Sequence, residues 1–131
     1  MHQIYTTGYL GWTQDQLFAA VQGMNALLVD IRYSPQSRYP AWRVAALQQA
    51  LSGDYVHLKA LGNAAYKTGG MVIADYPAGL KFIAETVIER PLVLLCACPH
   101  PDRCHRTVVG EMLRNDGFAV AELERGGTGY E

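Results

Sequence analysis

Residues able to do chemistry gather in two short stretches of this chain. The first is Cys96-Ala97-Cys98-Pro99-His100-Pro101-Asp102-Arg103-Cys104-His105-Arg106, which joins an apolar run to an amphipathic one. A helix opening at its end presents unpaired amides and a partial positive charge, and so favours an anion. Arg106, in the first turn, has a planar fork suited to a carboxylate or phosphate. The same surroundings favour the thiolate of Cys104, which is expected to be the most reactive of the three thiols. The second stretch is Asp30, Arg32, Ser34, Ser37 and Arg38, at the end of an apolar run. An aspartate inside such a run needs a partner, because an unpaired buried carboxylate is costly; Arg32 or Arg106 is expected to supply it. His57 lies alone on a third apolar segment. That position suits a satisfied core histidine and also permits general acid/base work.

Three rival readings use the same residues. Cys96, Cys98, Cys104 and His105 offer four zinc-type ligands, but adjacent Cys104 and His105 diverge at a helix start, so no metal is expected. A cysteine phosphatase or sulfurtransferase loop is the next reading: Cys98 and Arg103 have a Cys-x4-Arg spacing that resembles some rhodanese-like loops, and Asp30-Ile31-Arg32 after a strand is similar to that fold. A cradle of that kind needs consecutive backbone N–H donors, and Pro99 and Pro101 remove two of them. In the plainest reading the cysteines pack as small apolar residues, the arginines are solvated and an Asp–Arg pair only orders its loop.

The elements that must position these residues alternate along the chain. Gln3–Gly8 reads as a strand, with Gly8 at its end. Thr13 caps a helix to about Met24, with Leu17, Phe18, Val21 and Met24 inward. Ala26–Ile31 is a continuous apolar run interrupted by Asp30, as in parallel strands covered on both faces. Pro40 opens a helix to Leu51 with Val44, Leu47, Ala50 and Leu51 inward. Tyr55–Leu61 reads as a strand, and 62–74 is irregular around Gly69-Gly70. A second clear helix covers Pro77–Glu89, with Leu80, Ile83, Ala84, Val87 and Ile88 at helical spacing. Pro91–Cys98 is a strand, Cys104–Asn115 a helix ended by Gly117, and Ala119–Glu124 a last strand. This order predicts a single-domain, three-layer α/β/α sandwich over 1–131 with a mostly parallel five-stranded sheet. Right-handed crossovers bring Gly8–Trp12, Asp30–Pro40, Leu61–Asp75 and Cys98–Arg106 to the carboxyl edge, where ligands bind in open α/β sheets.

The bulk properties narrow the partners. With 131 residues, 50% hydrophobic, 18% charged and a net charge of −1, the chain has an ordinary globular composition. It has no overall electrostatic footprint for DNA, RNA or anionic lipid, although a local basic site remains open to it. The Met1–Ile4 start lacks a basic n-region, and Pro91–Cys98 is too short to cross a bilayer. Three cysteines within nine residues do not form a framework tying distant segments together, so a reducing, cytoplasmic setting is expected.

At these residues the chain also resembles the family catalogued as domain of unknown function 488. The likeness runs along nearly all of the chain. It rests on Thr6-Thr7-Gly8, on Leu28-Val29-Asp30-Ile31-Arg32 with Pro35 and Ser37-Arg38, on Tyr55-Val56-His57-Leu58 with Leu61-Gly62, and on Cys96 followed by Cys104-His105-Arg106. Members commonly carry Cys-Ala-Glu where this chain has Cys96-Ala97-Cys98. The resemblance implies an α/β fold and a shared polar site. Taken together, the expected function is binding of, or action on, an anionic small molecule such as a phosphate or nucleotide. Gly8, Arg32, Ser37, Arg38 and Arg106 would hold it, and Asp30, His57, Cys96, Cys104 and His105 would be the reactive or polar partners. The alternatives are thiol chemistry at Cys104 or Cys98, or a non-catalytic interaction module. A patch of exposed Tyr39, Trp42 and Tyr66 would favour the module, and so would loops that present a flat face.

Overall fold

The computed structural model describes residues 1–97 and 105–123. Among these, five strands form one sheet: β1 (Ile4–Gly8), β2 (Leu27–Asp30), β3 (Tyr55–His57), β4 (Leu92–Cys96) and β5 (Val120–Glu122). All pairings are parallel and the order across the sheet is β3-β2-β4-β1-β5. Helices α1 (Gln14–Gly23), α2 (Val44–Leu51), α3 (Tyr76–Thr86) and α4 (His105–Asn115) connect them.

The apolar runs are strands because both their faces are covered. One core holds Leu17 and Val21 of α1 and Leu47 and Leu51 of α2 against Leu28, Tyr55, Val93 and Leu95. The other holds Ile83 of α3 and Val109 and Leu113 of α4 against Ile4, Leu27, Val29, Leu92, Leu94 and Cys96. Successive strand residues therefore serve opposite layers, as the two-residue period of a strand requires. The result is the expected three-layer α/β/α sandwich.

Local signals explain most element ends. Thr13 and Gln16 form a reciprocal capping box at the start of α1. Asp75 caps α3 by accepting from the Ala78 amide, and Pro77 sits in its first turn. Gly117, at φ +97°, follows α4 in the left-handed region that glycine enters most easily.

Four expectations need correction. The strand expected over Tyr55–Leu61 ends at His57, because β3 pairs only with β2, whose last residue is Asp30. The Leu58 amide makes one more bond to the Asp30 carbonyl, and Lys59–Leu61 then turns into a 3-10 helix. The helix expected from Pro40 is broken at extended Arg43 into a 3-10 turn, Pro40–Trp42, and α2; Ala50 is exposed. The helix expected to Glu89 ends at Thr86, so Val87 is buried but Ile88 is 69% exposed. The strand expected to Cys98 is β4, which ends at Cys96, and Cys98 lies outside the described residues.

Candidate functional site

The sheet register brings the candidate residues into one row. Gly8 stands opposite Cys96, Asp30 opposite Leu95, and Asp30 opposite His57 on its other side. The carboxyl ends of β1, β4, β2 and β3 thus form one edge. The helices that follow β1 and β2 pack on one face of the sheet, and those that follow β3 and β4 pack on the other. Strand β4, seated between β2 and β1, makes this edge a topological switch point, where open α/β sheets form a crevice.

Asp30 shares a face with Leu28 and is fully buried. Its partner is Arg32: Nε donates to Oδ1 at 2.8 Å and Nη2 to Oδ2 at 2.6 Å. The Arg32 amide adds a bond to Oδ1 at 3.1 Å, and the Tyr55 hydroxyl donates to Oδ2 at 2.6 Å. Burial works against the Arg32 charge, yet the hydrogen bonds and charge of Asp30 outweigh it and raise the guanidinium pKa. Burial, with the Asp30 charge behind it, pushes the Tyr55 hydroxyl well above its ordinary range. Of the Arg32 nitrogens, Nη1 is the one that bonds no described residue, and it is not sealed from solvent.

Arg106 lies on the opposite face of the sheet. It is 2% exposed, donates from Nε and Nη2 to Glu122 at 3.2 and 2.9 Å, and points Nη1 at the Cys96 sulfur, 3.0 Å away. Thr6 donates to the same Glu122 carboxylate at 2.8 Å. Of the two partners expected for Asp30, Arg32 is therefore the one it has. Cys96 has the parity of Leu94 and Asp30 that of Leu28, so alternation puts their side chains on opposite faces.

The two histidines hold consecutive carbonyls where the chain leaves β2. His105 Nε2 donates to the Ile31 carbonyl at 2.8 Å, and His57 Nε2 donates to the Arg32 carbonyl at 2.7 Å. Each bond fixes a ring and puts the proton of a neutral imidazole on Nε2. Ser37 bonds the Tyr9 hydroxyl at 2.9 Å and accepts from the Tyr39 amide at 3.0 Å.

Segments following four strands line a cavity of about 470 Å³: Tyr9 after β1, Arg32 to Ser37 after β2, Asn63, Tyr66 and Gly69 to Met71 after β3, and Ala97 with His105 after β4. Asn63 ties the third segment into a compact loop. It donates to the Gly70 carbonyl and accepts from the Ala65 and Val72 amides. Of the sequence candidates, Arg32, Ser34, Ser37 and His105 line this cavity. Asp30 stands behind Arg32, while Gly8, Cys96 and Arg106 are buried and do not line it. His57 faces a neighbouring cleft, and Arg38 is exposed with its guanidinium 5.4 Å from the Tyr39 ring centre. Cys104 lies outside the described residues.

Trp42 is buried, stacked on Tyr9 at 5.0 Å between ring centres, so Tyr39, Trp42 and Tyr66 do not make one exposed patch. Sequence reasoning missed Tyr9, Tyr33, Tyr55 and Glu122. A signal existed for Tyr55, which lies two residues before His57 and so shares its face. Glu122 had none, because its pairing depends on β5 lying beside β1.

Compared with protein-family models, with curated proteins and with solved structures, the chain has no match. No described helix is long and apolar enough to cross a membrane.

Proposed function

We propose that the cavity at the carboxyl edge binds a small anionic molecule of the phosphate-ester or nucleotide class. One observation carries this reading: segments following four different strands enclose a concave space instead of presenting a flat face. Its walls combine rings for an organic body, Tyr9, Tyr33 and Tyr66, with donors for an anion, chiefly Arg32 Nη1 and the hydroxyls of Ser34 and Ser37. Asp30 neutralises part of the Arg32 charge and fixes the guanidinium plane, so the fork does not have to be ordered when ligand arrives. Among the described residues His105 is the histidine on the cavity wall, which makes it the group best placed to move a proton there.

The resemblance to the domain of unknown function 488 family fits the same reading. Arg32, Pro35, Ser37 and His105, which help carry it, line the cavity. The reading is tested by thermal denaturation against a panel of nucleoside monophosphates and sugar phosphates. A ligand at one hundred times its dissociation constant stabilises by about 2.7 kcal/mol. Ala97 is exposed on the cavity wall, so Ala97→Trp fills the space without touching the core. The expected result is a shift with at least one ester that Ala97→Trp abolishes; a shift left intact by Ala97→Trp, or none across the panel, refutes the assignment.

A further inference from the structure

Segment 33–36 walls a second concavity as well. This cleft, of about 390 Å³, is completed by Arg43 and Val44 at the start of α2, by His57 at the end of β3, and by Lys59. Among the described residues no aspartate or glutamate lines it. The chain as a whole is close to neutral, at −1, so a concave surface with two unneutralised cations is a local feature.

Three details distinguish it from an ordinary solvated basic surface. The described ion pairs engage Arg32, Lys81, Arg90 and Arg106, and neither Arg43 nor Lys59 is among them. Arg43 is anchored by Nε, which donates to the Ser37 carbonyl at 2.7 Å. Its two terminal nitrogens bond no described residue and remain available to a ligand. Lys59 is held with its ammonium 4.5 Å from the Tyr33 ring centre, and the His57 ring is fixed through Nε2 to the Arg32 carbonyl. Three nitrogen-bearing side chains are thus pre-positioned around one space, which lowers the ordering cost of binding. A pair of parallel N–H donors beside an ammonium matches a tetrahedral oxyanion well.

We propose that this cleft is a second anion site, built for a phosphoryl group, with Arg43 and Lys59 as its charged ligands and the His57 ring as a fixed part of its wall. It is separate from the cavity reading and does not rest on it. Because segment 33–36 belongs to both walls, an anion held at Arg43 and Lys59 also fixes one side of the neighbouring cavity.

The test is isothermal titration with inorganic phosphate, pyrophosphate and glycerol phosphate, with ionic strength held constant by chloride. The parent is compared with Lys59→Gln, Arg43→Gln, Arg43→Lys and Ala97→Trp. Saturable binding is expected, weakened about tenfold by Lys59→Gln and by Arg43→Gln, in keeping with one lost charge-assisted bond. Arg43→Lys is expected to restore part of the loss, and Ala97→Trp to leave the binding of inorganic phosphate and pyrophosphate unchanged. Tighter binding of glycerol phosphate assigns the cleft to the phosphoryl group of an organic ester, and tighter binding of the inorganic ions assigns it to free phosphate; either supports the site. Lys59 is exposed, so Lys59→Gln is informative even where the Arg43 variants disturb the start of α2. Absence of saturable binding, or equal binding by the parent and Lys59→Gln, overturns the proposal.

Discussion

Two guanidiniums bound to carboxylates stand on opposite faces of the sheet near one edge, and they do different work. Arg106 is sealed against Cys96 and Glu122, so its partners are already part of the protein. Arg106→Lys keeps the charge but gives up the two-pronged bond to Glu122. We expect it to lose about 1–3 kcal/mol in urea titration without any ligand. The lower part of that range reflects Glu122, which at 36% exposed is partly screened by water. A parent-like midpoint would show that the guanidinium contributes nothing to the fold. Tyr55 supports a second expectation. Its hydroxyl is raised by burial and by Asp30, so the folded protein keeps a proton that the unfolded chain sheds above about pH 10. Stability is therefore full below pH 10 and falls as pH rises beyond it. Tyr55→Phe should lower stability by about 1–2 kcal/mol at neutral pH, by removing a donor from a buried carboxylate. It should also flatten the alkaline slope in melts between about pH 9 and 11; an unchanged slope would mean that Tyr55 does not govern it.

At the scale of elements, close approach fixes the shape of the cavity wall. A Cβ built on Gly62 would lie 2.6 Å from the Tyr33 Cα and 2.7 Å from its amide nitrogen. Both are backbone atoms and cannot step aside as a flexible side-chain tip does. Gly62→Ala should therefore push segment 33–36 outward and cost about 1–3 kcal/mol, the usual range for forcing atoms into a packed site. Chemical-shift changes would concentrate at Tyr33–Ser37, and a spectrum unchanged there would contradict this account. The sequence made these elements readable where burial imposed a period. Leu27–Asp30 and Leu92–Cys96 were legible because both faces are covered, and α3 because Ile83 and Val87 recur at helical spacing. Ends that depend on a neighbour were not legible: β3 stops because β2 stops, which nothing in Tyr55–Leu61 announces. The convergence of Arg32, Ser37 and His105 followed from strand–helix alternation. The choice between Arg32 and Arg106 as the partner of Asp30 required the register, because only register says which face each side chain takes.

For the whole molecule the governing feature is β4, which lies between β2 and β1 and whose five residues are all fully buried. Its amides bond into the middle of the sheet, whereas β5 is a short edge strand beside β1 alone. Native-state hydrogen exchange should find the β4 amides among the slowest and those of β5 much faster; β5 protected as strongly as β4 would contradict this ranking. The placement also has a consequence in time. On a ribosome, β1, β2 and β3 emerge first, but β1 and β2 are not neighbours in the finished sheet. A slot one strand wide must stay open between them until residues 92–96 arrive. Until then the β2–β3 pair and the lone β1 have apolar edges with nothing beside them, the condition under which chains recruit foreign strands. The sheet is therefore completed at its centre only when residues 92–96 join, and β5 adds at the edge beside β1 after that.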